Sequence, residues 1–120
     1  MQSRLNPGLV GLMGRVPVIP VLTADDAERG LALARALVAG GLDVIEITLR
    51  TRAALQAIQL IAREIPSAIV GAGTVLEPIH GEDAIRAGAK FLVSPGMTPR
   101  LIHAAESWRV PFLPGAVTAS

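Results

Sequence analysis

Apolar runs of strand length alternate with amphipathic stretches of helix length along this chain, at a period of roughly 20 to 27 residues. No other feature of the sequence restricts the fold as much. Strands are predicted at residues 16–22, 43–49, 68–75, 91–94 and 111–114. Between them, Ala27, Leu31, Ala34 and Val38 recur at helical spacing. Thr23 is the predicted N-cap of that helix, with Asp25 and Asp26 in its first turn, and Gly40-Gly41 closes it. A second helix is predicted over 52–65, with Leu55, Ile58, Ala62 and Ile65 on one stripe and Pro66 as its stop. A third spans 80–87 and ends at Gly88, and a fourth runs from Pro99 to about Trp108. Residues 4–14 carry a weaker helical pattern, interrupted by Pro7 and three glycines. Pro17 and Pro20 suit the first strand only at a sheet edge or where its bonding is incomplete. Alternation of this kind implies an α/β fold with parallel strands and right-handed crossovers. It leaves two architectures, an open doubly wound sheet and part of a (β/α)₈ barrel. A complete barrel takes about 200 residues or more, and this chain has 120.

Apolar residues make up 51% of the chain but aromatics only 2%, so the core must be built from Leu, Ile, Val and Ala. Buried parallel strands suit that mixture. The net charge is +1 and the basic residues are scattered. Without a basic stripe or stacking aromatics, nucleic-acid binding has no support. No cysteine is present, which removes disulfides and thiolate metal sites and fits a reducing compartment. The first residues lack the apolar run of a signal peptide, and no segment approaches the roughly 20 apolar residues of a membrane span. The expectation is a cytoplasmic protein with no membrane association.

The candidate chemistry centres on residues 43–51. Ile45, Ile47 and Leu49 share one parity, and Val44, Glu46, Thr48 and Arg50 share the other. One face is therefore aliphatic, while the other sets an acid, a hydroxyl and a base in line. A sheet with a polar, solvated outer face would also produce this pattern, and helices covering the sheet argue against that. At about 3.3 Å per residue, Glu46 and Arg50 are some 13 Å apart along the backbone, too far for a direct pair. Glu46 is placed inside, where desolvation raises a carboxyl toward acid–base use. Arg50 is placed at the mouth, where it can hold an anion or simply be solvated.

Ligands of α/β proteins sit beyond the C-terminal ends of the strands. Here those ends carry Arg50, Thr74, Ser94-Pro95-Gly96 and Pro114-Gly115. Residues 71–74 (Gly-Ala-Gly-Thr) are not a dinucleotide fingerprint, because the third glycine would fall at Leu76. They read as small residues that let the backbone approach a ligand or a neighbouring strand. His80 and His103 lack metal-ligand spacing and read as exposed helix residues, so no metal is expected. Trp108 is expected to pack at its helix end. Lys90 is the only lysine. It precedes the fourth strand, on the stability face of such folds, and reads as a solvated structural residue.

With these residues in place, the chain resembles the 2-keto-3-deoxy-6-phosphogluconate (KDPG) aldolases, also called 4-hydroxy-2-oxoglutarate aldolases, of the class I Schiff-base type. The matching segments are residues 18–21, 36–41, 46–51 (Glu-Ile-Thr-Leu-Arg-Thr), 69–76 (Ile-Val-Gly-Ala-Gly-Thr-Val-Leu), 87–91, 94–96 and 111–115. They follow in order and in register over nearly all of the chain after the first 15 residues. The resemblance implies a (β/α)₈ barrel, usually trimeric, that needs no metal or other cofactor. It implies reversible cleavage of KDPG to pyruvate and glyceraldehyde 3-phosphate, and possible cleavage of 4-hydroxy-2-oxoglutarate to pyruvate and glyoxylate. Glu46 would be the proton shuttle for carbinolamine formation and C–C cleavage. Arg50 and Thr74 would bind the carboxylate of the pyruvate portion of the keto-acid substrate, and Pro95 would line the pocket. The family's Schiff-base lysine lies on the sixth strand, and this sequence stops before it. Residues 1–120 are therefore expected to be the N-terminal part of one barrel, a truncated piece of about five β/α units that is inactive alone and oligomeric or marginally folded. The alternatives are a non-catalytic, self-associating half-barrel and the related galactonate-type aldolase. The Arg50-Thr51 pair favours the gluconate type.

Overall fold

The computed structural model describes residues 18–115. Strands and helices alternate strictly over that span. The elements are β1 (Val21–Leu22), α1 (Ala27–Ala39), β2 (Val44–Thr48), α2 (Ala54–Glu64), β3 (Ile69–Gly73), α3 (Pro78–Ala87), β4 (Leu92–Ser94), α4 (Pro99–Ala105) and β5 (Phe112–Pro114). All four strand pairings are parallel, and the sheet order is β1-β2-β3-β4-β5. A doubly wound sheet reverses its strand order partway. This sheet does not, and its helices accordingly lie on a single face.

The burial pattern shows how the sequence enforces this. Ile45 and Ile47 are fully buried in one core with Val70, Ala72 and Leu92 from the sheet and Ala34, Ile58 and Leu101 from the helices. Each buried isoleucine contributes about 1.5–3 kcal/mol. A one-residue slip of β2 would expose both, so Glu46, of opposite parity, is held on the other face. That inner face has its own small cluster, Val44 and Phe91 packed with Ile19, Ile69 and Val93.

Several element boundaries depart from the predicted ones, each for a local reason. The strand expected at 16–22 is reduced to Val21–Leu22, with residues 16 and 17 and the helix expected at 4–14 outside the described span. Pro20 still contributes a carbonyl to Glu46 N at 2.9 Å. The N-cap of α1 is Asp26, whose side chain accepts from Arg29 N at 3.0 Å. Thr23 cannot serve, because its hydroxyl is paired with that of Thr48 at 3.0 Å. Helix α2 starts at Ala54, since residues 50–53 form a turn tied down by the Thr51 hydroxyl, which donates to Ala24 O. Helix α3 begins two residues early, at Pro78, inside a capping box. There His80 Nδ1 accepts from Glu77 N at 3.2 Å. His80 is therefore a half-buried capping group rather than an exposed surface histidine. Helix α4 stops at Ala105, and Trp108 beyond it packs edge-on against Phe112, with ring centroids 5.5 Å apart.

The ladder between β3 and β4 holds two irregularities. Lys90 N donates to Val70 O, yet Ala72 N donates to Phe91 O where a regular ladder would return to Lys90. β4 thus takes up an extra residue at its start. Past Ala72, it is Val75 N rather than Thr74 N that donates to Val93 O. β3 thus takes up an extra residue at Thr74. Side-chain burial agrees, because Ala72 and Val75, three apart, both lie in the helix-facing core, as do Ala89 and Leu92.

No helix among the described residues is long and apolar enough to cross a membrane.

Candidate active site

Glu46 sits at the middle of β2, with Val44 before it and Thr48 after it on the inner face. Its register partner on β3 is Gly71, and that of Thr48 is Gly73. These two inward positions have no side chain, and the space is used. A Cβ on Gly73 would overlap the Glu46 carboxylate oxygen Oε2 and stand 2.7 Å from Cδ. A Cβ on Gly71 would stand 2.5 Å from Phe91 Cδ1. The glycines predicted to allow close approach of a ligand or a strand therefore admit two side chains of the same sheet.

Lying over the backbone of β3, Glu46 is half-buried, and desolvation by that burial pushes its carboxyl above the ordinary range. Among the described residues no charged neighbour opposes the shift. Among the described residues no hydrogen bond or ion pair reaches the carboxylate. A carboxyl in this state retains its proton more readily than a solvated one, as a proton carrier near neutrality requires.

The sheet brings the other candidates to one edge. Arg50 lies in the turn after β2, exposed, without an ion pair among the described residues. Leu49 N, one residue before it, donates to Gly73 O at 2.9 Å, which sets the turn beside Thr74. Val75 N donates to Val93 O at 3.0 Å, which sets Thr74 beside the end of β4. There Pro95 is exposed, while the buried Ser94 donates its hydroxyl proton to Gly96 O at 2.6 Å. Gly115 N donates to Ser94 O at 2.6 Å and joins the end of β5 to the same row. Arg50, Thr74 and Pro95 thus share the C-terminal rim of the sheet, with Glu46 deeper on the inner face. Lys90 is exposed at the opposite end, before β4.

Thr74 has φ +61°, the one non-glycine residue with positive φ among the described residues. A β-branched residue rarely adopts this conformation, and holding it there costs on the order of 1–3 kcal/mol. Bulges commonly re-aim a side chain next to a site. Here the extra residue frees Thr74 from the helix-facing alternation, which Val75 resumes. Thr74→Gly is expected to raise unfolding stability by about 1 kcal/mol, the relieved strain less the added chain entropy. A higher urea midpoint at unchanged slope would show it.

Three features of the site were not legible in the sequence. These are the Thr23–Thr48 hydroxyl pair, the carboxylate's seat on Gly73 and the Phe91 ring on Gly71. Each depends on cross-strand register, and the only sequence trace of it is the glycine pair two residues apart. A cleft of about 570 Å³ between α3 and α4, lined by Glu82, Arg100, His103 and Glu106 among others, lies in the helical layer and does not include Glu46. Among the described residues no group of three or more His, Asp or Glu is placed to hold a metal.

Comparison with known proteins gives these positions a setting. The model of the KDPG and KHG (4-hydroxy-2-oxoglutarate) aldolase family matches residues 11–120. The KHG/KDPG aldolase of Escherichia coli K12 is 49% identical over 104 residues, covering 87% of this chain and 49% of that protein. The crystal structure of the Legionella pneumophila KDPG aldolase, with pyruvate captured as a covalent carbinolamine intermediate, superposes with a TM-score of 0.87 at 41% identity. It covers 96% of this chain and 55% of that one. The Zymomonas mobilis ZM4 KDPG aldolase with 3-phosphoglycerate gives a TM-score of 0.86 at 46% identity, over 92% of this chain and 53% of that one. The chain spans about half the length of the curated relatives it matches. In sequence and in strand order alike, the chain belongs to the KDPG and KHG aldolase family.

Proposed function

We propose that this chain supplies the N-terminal part of a (β/α)₈ barrel that acts as a class I aldolase. The reaction is reversible cleavage of KDPG to pyruvate and glyceraldehyde 3-phosphate, with 4-hydroxy-2-oxoglutarate as a further substrate. The observation that carries this reading is the placement of Glu46. It is a desolvated carboxyl on the inner face, leaning over Gly73 toward the rim where Arg50, Thr74 and Pro95 stand.

In this scheme a lysine amine from a later strand attacks the keto carbon. Glu46 delivers a proton to the carbonyl oxygen as the carbinolamine forms. It takes up the proton that the amine nitrogen sheds and passes it to the carbinolamine hydroxyl, which leaves as water to give the iminium. Glu46 as carboxylate then takes the proton of the C4 hydroxyl. The C3–C4 bond breaks, its electron pair moves into the iminium to give an enamine, and the aldehyde departs. Glu46 returns the proton to C3, and hydrolysis releases pyruvate. Arg50 fixes the substrate carboxylate through its planar fork of donors, Thr74 adds a hydroxyl, and Pro95 walls the pocket. Lys90 has no part, because it stands at the other end of the sheet. The protein works in the cytoplasm as a homo-oligomer, a trimer. Support for association comes from the exposed apolar residues Leu76, Ile79 and Met97 near the rim.

Borohydride reduction in the presence of pyruvate, on the protein extended through the following strands, tests the proposal. The expected product is one pyruvyl adduct on a lysine beyond residue 120. An adduct on Lys90, or none on any lysine, would overturn it.

A further inference from the structure

Two inward glycines of β3 flank Glu46, and only one is open to it. Its own register partner, Gly71, is covered by the Phe91 ring. The carboxylate lies over Gly73 instead, roughly 6.6 Å nearer the C-terminal end of the strand. The ring is firmly held. Phe91 is fully buried, packs with Val44, Ile69 and Val93, and is brought onto the inner face by the extra residue at the start of β4.

We propose that Phe91, seated on Gly71, and Gly73 are positioning residues for Glu46. The ring closes the slot beside the acid's register partner, and the missing side chain at position 73 opens the next slot. Glu46 is thereby made to lean toward the rim rather than back into the sheet. The proposal rests on the reading of Glu46 as the acid–base group. Neither residue touches reacting atoms; both act through the carboxylate.

The surroundings make Glu46 a clean reporter of its own position. Among the described residues no helix packs on the inner face, and β1, β3 and β4 carry no titratable side chain. Among the described residues, charged groups adjoin the ends of these strands at Asp43 before β2, Lys90 before β4 and Arg50 after β2. A change in Glu46 titration on altering position 73 or 91 therefore reports a change in the placement of its carboxylate.

Carbon-detected NMR of the protein extended through the following strands, as in the borohydride test, tests the idea. In the unaltered chain, nuclear Overhauser contacts are expected from the Phe91 ring to Gly71 Hα and from Glu46 Hγ to Gly73 Hα. Gly73→Ala should expel the carboxylate into water and lower its titration midpoint toward the ordinary value of 4.5. Phe91→Ala should open the first slot and move the Glu46 contact from Gly73 to Gly71, while Phe91→Leu should keep the original contact. Absence of the two contacts in the unaltered chain would overturn the proposal, and so would a folded Gly73→Ala chain with an unmoved midpoint. The contacts need no variant, so a substitution that fails to fold leaves the test intact. The acid–base reading is judged separately, by cleavage rates of Glu46→Gln in the active aldolase. An unchanged rate there would remove the chemical role and leave the geometry standing.

Discussion

Glu46→Gln is expected to lower the rate of C–C cleavage about 10²- to 10⁴-fold, with little change in KM. Glutamine keeps the shape and seat over Gly73 but can neither deliver nor take a proton. The loss should therefore fall on kcat, and steady-state kinetics with KDPG would measure it. The same substitution should change stability in the opposite direction. Burial raises the folded-state pKa of Glu46 above its ordinary value of 4.5. Below the unfolded-state pKa the carboxyl is protonated in both states and costs nothing extra. As pH rises from there through the folded-state pKa, the unfolded chain releases its proton first, and folding stability falls until both states are ionised. Glu46→Gln removes that loss. The variant should match the parent in acid and exceed it near neutrality. Urea unfolding across that pH window would check this, and a stability difference that shrinks as pH rises would contradict the buried-acid assignment.

Arg50→Ala is expected to cost about 10- to 100-fold in kcat/KM, equivalent to the roughly 1.5–3 kcal/mol of a hydrogen bond to a charged group. Arg50 is exposed and has no ion pair among the described residues, so its removal should leave folding nearly untouched. This separates a binding effect from a structural one. Arg50→Lys keeps the charge but loses the two-donor fork, and should recover only part of the loss. The pyruvate concentration needed for borohydride inactivation offers a second measure, and it should rise in Arg50→Ala. An equal pyruvate requirement in parent and Arg50→Ala would show that another group holds the carboxylate.

The order and type of every element from β1 to β5 could be read from hydrophobic period and from Gly and Pro punctuation. The parity of Ile45 and Ile47 against Glu46 correctly gave β2 its two faces, because burial of the isoleucines fixes the phase. The caps were less legible. Thr23 and Asp26 are both good N-cap types, and the choice was decided by the Thr48 hydroxyl on another strand, which claims Thr23. The same limit hid the arrangement around Glu46. Gly71 and Gly73 advertise close approach, but which side chain enters each slot depends on how β2 and β4 register against β3. The roles proposed for Glu46, Arg50, Thr74 and Pro95 rest on their places along and at the ends of the strands and on family resemblance. The structure adds that Arg50, Thr74 and Pro95 share one rim and that Thr74 is held in an unusual backbone state.

The two extra residues in neighbouring strands have a consequence for how this protein can change. β4 spends three residues from Ala89 to Leu92 where β3 spends two from Val70 to Ala72, and β3 then spends three from Ala72 to Val75 where β4 spends two from Leu92 to Ser94. They behave like a frameshift and its suppressor. Either insertion alone would throw all the residues after it out of phase with the neighbouring strand; together they confine the misphasing to a short window. Phe91, Gly73 and Thr74 all lie in or at the border of that window. Deleting one extra residue would therefore scramble the inner face, whereas deleting both would restore a regular sheet whose inner surface no longer presents the acid to the rim.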